Sequence, residues 1–278
     1  MGELRQVPRL LGAHARLNLL LLMRSRQQTV TYLVSDIVGQ IAGIAGVLLL
    51  AATFDGIAGW SRAEIVFLLG YGLTVRGVET TFFSYNLAAV SRRIGRGQLD
   101  HSLLQPQSLL LTFATEGFAP IDGAALLMPG VGLMVFASDA GSGPVGAAAT
   151  TMLPLMIVAS ALVLIAFNFI WGSLAFWAPS GAEELSPVAS NLLRGLSTFP
   201  LDPLASGLKV ALVTVVPAAH MAWLPAGAVL GRSPLAVAGW TIVAAGVALA
   251  VATLVFRRGL AHYGYTGSQR YSDFGHRR

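Results

Sequence analysis

Long runs of apolar residues alternate with short polar segments along the whole chain. Six of these runs hold about 20 or more mostly apolar residues, the length that a helix needs to cross a bilayer. The runs are continuous and lack the period-two alternation of half-buried strands, which favours helices. They cover residues 30–54, 63–90, 108–137, 146–177, 206–230 and 235–256. The pattern predicts an all-α integral membrane protein with six transmembrane helices.

Composition supports the same class of protein. Of the 278 residues, 55% are hydrophobic and 11% are charged, and the mean hydropathy is +0.68. A soluble domain carries about 25% charged residues. The chain has no cysteine, so disulfides and zinc–thiolate sites are excluded. We therefore treat residues 1–278 as one transmembrane domain.

Arginines concentrate in three segments, and this predicts the orientation. Residues 1–28 carry five arginines around a short leucine run, which is typical of an amphipathic helix lying at the membrane interface. Residues 91–107 and the tail, 257–278, are the other two basic segments. By the positive-inside rule, both termini and residues 91–107 are cytoplasmic, and residues 178–205 become the remaining cytoplasmic loop. Anionic lipid explains the basic residues, so nucleic acid is not an expected partner.

Charged residues within the predicted spans are costly in lipid and are therefore candidates for function. Arg76 and Glu79 lie three residues apart on one face of the second span, where they can neutralise each other. Glu116 and Asp122 flank Pro120 in the third span. These four residues either fix helix packing or line a transport pathway, and the sequence leaves both interpretations open.

Glycines and prolines mark two further features. Gly39, Gly43 and Gly46 in the first span permit close helix approach, either within one subunit or between two. Pro217 and Pro225 interrupt the fifth apolar run, and their spacing favours a proline-broken hairpin on the external side over a smooth crossing.

No catalytic machinery is recognisable in the sequence. The chain contains a single lysine, Lys209, and no phosphate-binding loop, so it cannot hydrolyse a nucleotide by the usual route. The five histidines are far apart, and no metal-ligand spacing appears. A membrane-embedded enzyme or scaffold is therefore the weakest of three hypotheses, and we expect no metal or cofactor on this chain.

Residues 91–107 are patterned more strongly than a spacer requires. If they form a short surface helix, Ile94, Leu99, Leu103 and Leu104 give it an apolar edge, while arginines give it a basic face. Glycines allow a sharp turn, and a proline precedes the next span. A helix with these two faces suits docking to a partner protein.

The segment SRRIGRGQLDHSLLQPQS, residues 91–108, resembles the signature I..G.LD..LL.P of type-2 ATP-binding-cassette (ABC) exporter permeases. More narrowly, the chain resembles the six-span subgroup of the ABC-2 family transporter proteins. Agreement extends to the amphipathic N-terminus, to Phe176–Trp177 after the fourth span and to the proline-rich region. One departure is Gln105, where the family often has arginine.

The resemblance implies a permease subunit of an ATP-driven exporter that moves a lipophilic substrate such as a drug, an antibiotic or a lipid. A separate ABC ATPase, in two copies, would bind ATP and Mg²⁺ and dock on residues 91–107 as the coupling helix, and a second permease, identical or a sister chain, would complete the pathway. The external hairpin would gate the exit through Pro217, Trp223 and Pro225. The motif assigns the ATPase contact to Arg92, Arg93, Ile94, Gly97, Leu99, Asp100, Leu103, Leu104 and Pro106.

The remaining hypothesis is an ion-coupled secondary transporter that uses Arg76, Glu79, Glu116 and Asp122 as a relay. No internal repeat with paired broken helices is visible between the two halves. The preference of the chain for arginine over lysine, with abundant alanine and glycine, is typical of a GC-rich bacterial genome. We therefore expect a multi-pass protein of the bacterial inner or plasma membrane, with lipids around it.

Overall fold

The computed structural model describes residues 7–24, 26–53, 56–83, 93–94, 98–105, 108–139 and 147–266. This part of the chain is helical and contains no strand, and the predicted all-α membrane fold is confirmed. Two short 3₁₀ helices, Leu174–Phe176 and Pro217–His220, supplement the α-helices. The α-helices are α1 (Val7–Arg24), α2 (Arg26–Thr53), α3 (Arg62–Phe83), α4 (Leu99–Leu103), α5 (Leu109–Glu116), α6 (Pro120–Asp139), α7 (Ala147–Ser173), α8 (Pro179–Leu196), α9 (Ser206–Thr214), α10 (Trp223–Val229) and α11 (Leu235–Thr266).

Three helices of the described region are long and apolar enough to cross a membrane: α6, α7 with its 3₁₀ extension, and α11. A fourth candidate is the bent pair formed by α9 and α10. The count of six spans stays a prediction. The amphipathic helix predicted for residues 1–28 corresponds to α1, which is separate from α2, lies against α5 and has no fully buried side chain among its described residues.

Two ends of the helix bundle can be distinguished by their contacts. At the Trp60 end, Trp60 is buried in a core with side chains from the start of α7 and of α11, including Ala149 and Ala238. At the Asp100 end, Phe256 and Tyr263 of α11 join Phe176 in a second core. Thus α7 and α11 each run from the Trp60 end to the Asp100 end.

The helix α3 starts at a capping box and packs against α6 through interlocking glycines. Ser61 Oγ accepts a hydrogen bond from the Glu64 backbone N–H, and the Glu64 carboxylate accepts one from the Ser61 N–H. A Cβ atom on Gly77 would lie 2.7 Å from Cγ of Leu127, and one on Gly130 would lie 2.6 Å from Oγ1 of Thr74. Small residues of this kind let membrane helices approach closely.

The third predicted span, 108–137, consists of two helices instead of one. The chain breaks at residues 117–119, between α5 and α6, and Pro120 begins α6 because it needs no N–H partner there. The Ala119 backbone N–H donates to the Thr81 carbonyl oxygen of α3 at 2.8 Å. A neighbouring helix thus satisfies backbone that the break would otherwise leave exposed.

Residues 178–205 were predicted to stay on the cytoplasmic side as a loop, and this prediction is wrong. They form α8, which begins beside the Asp100-end core, where Ala182 is buried with Phe176. The chain that follows α8 reaches Asp202, whose carboxylate bonds to Trp60. The segment therefore runs from one end of the bundle to the other.

The fifth predicted span, 206–230, is also corrected. Its two helices, α9 and α10, are bent by 70° at the break. Asp202, just before α9, bonds to Trp60, and Arg232, just after α10, lies with its guanidinium 4.6 Å from the centre of the Trp60 ring. Both ends of the hairpin thus meet at the Trp60 end, so the segment enters the bundle and returns. The fifth passage between the two ends belongs to α8 and the chain after it.

Candidate functional site

Residues 98–105 form a short, anchored projection at the Asp100 end. The Gln98 backbone N–H donates to the Arg93 carbonyl oxygen at 2.9 Å, and this contact brings the start of α4 back against residue 93. The helix α4 has only five residues, and its last turn closes on Leu104. Of the predicted ATPase contacts, Arg92, Gly97 and Pro106 lie outside the described residues.

Two of the predicted contact residues point into the protein. Ile94 and Leu99 are 1% and 0% exposed, and they belong to the core that also contains Phe113, Phe176 and Phe256. Their predicted place on an exposed apolar edge is therefore wrong, because they are already buried within this chain. They anchor the projection to α5 and α11.

A hydrogen bond ties α4 to α11. The Tyr263 hydroxyl donates to Oδ1 of Asp100 at 2.7 Å. Burial of the phenol raises the pKa of Tyr263, and the hydrogen bond and charge of Asp100 raise it further. The hydroxyl therefore stays protonated at physiological pH and remains a donor. Asp100, predicted to contact the ATPase, instead holds α4 in place.

Arg93 and Glu116 form a second tie at this end. The Arg93 guanidinium lies 2.5 Å from the Glu116 carboxylate and sits over the Phe113 ring, 5.4 Å from its centre. These contacts join the projection to α5. Glu116 had been grouped with Arg76, Glu79 and Asp122 as an intramembrane pathway charge, but it lies with the coupling segment.

The outward face of the projection is carried by leucines. Leu103 is 45% exposed and Leu104 is 84% exposed, directly at the end of α4. Single exposed leucines are ordinary, but two adjacent ones on an anchored five-residue helix form a rigid apolar tip. This leucine tip, Leu103 and Leu104, is the part of the predicted contact set that is available to a partner.

A buried polar cluster joins α3, α7 and α8. Nη2 of Arg194 lies 3.5 Å from both carboxylate oxygens of Glu79, whose side chain is 5% exposed. Asn168 Nδ2 donates to Glu79 at 3.5 Å, and Ser190 Oγ donates to Asn168 Oδ1 at 2.6 Å. Glu79 thus bonds to a neighbouring helix, one of the arrangements that the sequence left open.

A cavity of about 480 Å³ lies between α2, α3 and residues 197–199. Arg76 lines it, together with Gly39 and Gly43 of the first predicted span. A Cβ atom added to Gly39, Gly43 or Gly46 would meet nothing within 4 Å among the described atoms, so these glycines do not serve close packing there. Asp122 lies elsewhere, half-buried in the first turn of α6.

The hairpin residues form a third cluster, at the Trp60 end. Asp202 Oδ2 accepts hydrogen bonds from two indole N–H groups, that of Trp60 at 2.7 Å and that of Trp223 at 2.8 Å. Arg232 pairs with Glu64 at 3.0 Å. Of the predicted gate residues, Pro217 begins the 3₁₀ helix and Pro225 is buried in α10.

Sequence reasoning missed three residues that hold these clusters together: Asp202, Arg194 and Tyr263. Each bonds to a partner more than 100 positions away, so no local spacing marks it. The only available signal was composition, since a charged residue in a chain this apolar is expected to have a buried partner.

The fold and these clusters define the class of protein, a helical multi-pass membrane protein with a charged cavity and a projecting helix at one end. The sequence profile described as ABC-2 family transporter protein matches residues 37–267, which is most of the chain. The chain therefore belongs to this family and is a transmembrane permease component of an ABC transporter. Membership implies association with an ABC ATPase. No curated relative and no solved structure shows a significant match to the chain.

Proposed function

We propose that the chain is the permease subunit of an ATP-driven exporter, and that the leucine tip is where the partner ATPase grips it. The observation that carries this proposal is the contrast within α4: Leu99 is fully buried, while Leu104 is 84% exposed. A rigid apolar tip on an anchored helix can enter a groove as a hot-spot contact.

The anchors of the projection explain how a push on the tip reaches the pathway. Asp100 is tied to α11 through Tyr263, and Arg93 is tied to α5 through Glu116. The helix α5 leads into α6, which is packed closely on α3 through glycines. Because packed helices move as units, displacement of the tip is passed to α3, which lines the cavity.

The rest of the assembly follows from this role. Two copies of the ATPase, each with ATP and Mg²⁺, would act on two permeases, identical or paired as sister chains. The Asp100 end is cytoplasmic, the Trp60 end is external, and both termini face the cytoplasm of a bacterium, with the protein in its inner or plasma membrane. The cavity would carry a lipophilic substrate outward, and this chain itself would bind no cofactor.

The test is co-purification with the ATPase encoded beside the permease. The double variant Leu103→Asp/Leu104→Asp should lose association, because two carboxylates cannot enter an apolar groove. A matched Leu103→Met/Leu104→Met variant should retain it. Unchanged melting temperatures in detergent would show that both variants fold, since the tip makes little contact within the chain. If the aspartate variant co-purifies as well as the wild type, the assigned docking site is refuted.

The ion-coupled alternative finds less support. Its four charges do not form one chain of contacts, since Glu116 pairs with Arg93 and Glu79 pairs with Arg194. Transport in proteoliposomes distinguishes the two mechanisms. An exporter should stop when ATP is withheld and continue with an uncoupler, and an ion-coupled carrier should do the opposite.

A further inference from the structure

The cavity between α2 and α3 has a polar half and an apolar half. Ser35 on α2 and Arg76 on α3 line one half, and Val47 on α2 and Leu68 on α3 line the other. At about 1.5 Å of rise per residue, Ser35 and Val47 lie about 18 Å apart along α2, and Arg76 and Leu68 about 12 Å apart along α3. The polar half is nearer the Asp100 end, because α3 begins beside Trp60. The cavity therefore suits a molecule with a polar head and an apolar tail.

The charge in the polar half is positive. Among the described residues that line the cavity, Arg76 is the charged one. Its charge interacts with Glu79, which also bonds to Arg194. Arg76, Glu79 and Arg194 together carry a net charge of +1, since two guanidinium groups share one carboxylate. In a low-dielectric site such an excess favours an anionic group over a neutral or a cationic one.

The remaining walls leave room for both parts of such a molecule. Ser197 and Thr198 bring hydroxyl groups to the cavity, which can donate hydrogen bonds to an anionic head. Gly39 and Gly43 leave open space along α2, where an added Cβ atom would meet nothing within 4 Å. The volume of about 480 Å³ falls in the usual range of small-molecule sites, roughly 300–1,000 Å³.

We propose that this cavity binds an amphiphile with an anionic head group and an apolar tail, with the head at Arg76 and the tail toward Val47 and Leu68. The inference rests on the proposed transport function and narrows its substrate from lipophilic compounds in general to anionic amphiphiles. Arg76 acts as a binding residue in direct contact with the head group.

The test measures binding of three fluorescent probes that share one tail: a dansyl-labelled undecanoate, its methyl ester and the corresponding trimethylammonium compound. The full chain is reconstituted in phosphatidylcholine nanodiscs, and empty nanodiscs give the partition into lipid alone. The anion should bind saturably and at least about tenfold more tightly than the ester or the cation, the ratio that corresponds to about 1.4 kcal/mol. Arg76→Gln should abolish this preference, and Arg76→Lys should retain most of it.

The wild-type comparison needs no variant, so it stands even if Arg76→Gln fails to fold. Equal affinity for the acid and the ester, or an Arg76→Gln protein that folds and keeps the preference, would overturn the inference. Adding phosphatidylglycerol to the nanodiscs identifies the source of the anion. Displacement of the bound undecanoate would mean that the natural occupant is a bilayer lipid, and retention would mean a free amphiphile. Both of these outcomes support an anionic site.

Failure here is distinguishable from failure of the proposed function. If the anion binds selectively but the chain does not associate with the ATPase, the transport role falls and the site remains. If the ATPase associates through the leucine tip and the ester binds as well as the acid, the transport role remains and the substrate class is wrong.

Discussion

Replacing Asp202 by alanine should release the α9–α10 hairpin from the Trp60 end. One carboxylate oxygen of Asp202 accepts both indole N–H groups, at 2.7 and 2.8 Å. Trp60 is 2% exposed, so its N–H would lose its acceptor in a place that water reaches poorly. Trp223 is only partly buried, and water can replace its lost bond.

The expected cost follows from these two environments. A hydrogen bond to a charged group contributes about 1.5–3 kcal/mol, and leaving a buried donor unsatisfied costs about 1–3 kcal/mol. Counting the buried bond fully and the exposed one at a fraction gives about 2–4 kcal/mol for Asp202→Ala. Opening of the hairpin should therefore become roughly 30- to 1,000-fold more frequent, since about 1.4 kcal/mol corresponds to a factor of ten.

Amide hydrogen exchange of the full-length protein in nanodiscs measures this opening. Exchange at residues 217–229 should accelerate in Asp202→Ala, while exchange in α3 and α6 should change little. Asp202→Asn should show a smaller effect, because the amide oxygen still accepts both bonds without the charge. Asp139→Ala, at an exposed aspartate that ends α6 at the same end of the bundle, is the matched control. Unchanged exchange in Asp202→Ala would refute the reasoning.

Two further predictions concern stability in detergent, measured by thermal unfolding. Gly77→Ala should destabilise by about 1–3 kcal/mol because its Cβ would overlap Leu127, while Gly43→Ala should change stability by no more than about 0.5 kcal/mol; equal losses would contradict the packing described. Arg194→Gln should cost about 3 kcal/mol by leaving Glu79 charged and buried, and adding Glu79→Gln should restore most of it. A double variant as unstable as the single one would argue against the pair.

The sequence allowed the fold class and several helix positions to be predicted, because apolar runs of this length have few alternatives in a bilayer. Pro217 and Pro225 also signalled that the fifth run is broken. The direction of the chain after the break could not be read, since it depends on Asp202 and Arg232 meeting Trp60 from opposite sides of the hairpin.

The sequence misled at α8 for a different reason. A hydropathy pattern measures average greasiness, and α8 is amphipathic, with Leu185, Val188 and Leu192 exposed on one face. Its polar face, which includes Ser190 and Arg194, is directed at Asn168 and Glu79. Polar residues that satisfy one another inside a bundle look, in sequence, like those of a water-exposed loop.

At the candidate site, the motif located the right segment but not the roles within it. Four apolar residues were placed on one edge, whereas Ile94 and Leu99 are buried and Leu103 and Leu104 are exposed. The difference arises from α11, whose Phe256 and Tyr263 cover the inner face of α4. A contact with a helix more than 150 residues further along leaves no trace in the spacing of a short motif.

The polar face of α8 has a consequence for biosynthesis. A segment this polar is a poor substrate for independent insertion from the translocon, because Arg194 is costly at a helix centre without a partner. Glu79 and Asn168 are both made earlier in translation, on α3 and α7. We therefore expect α8 to enter the membrane only after these helices are in place, so that the order of synthesis itself supplies the acceptor on which its integration depends.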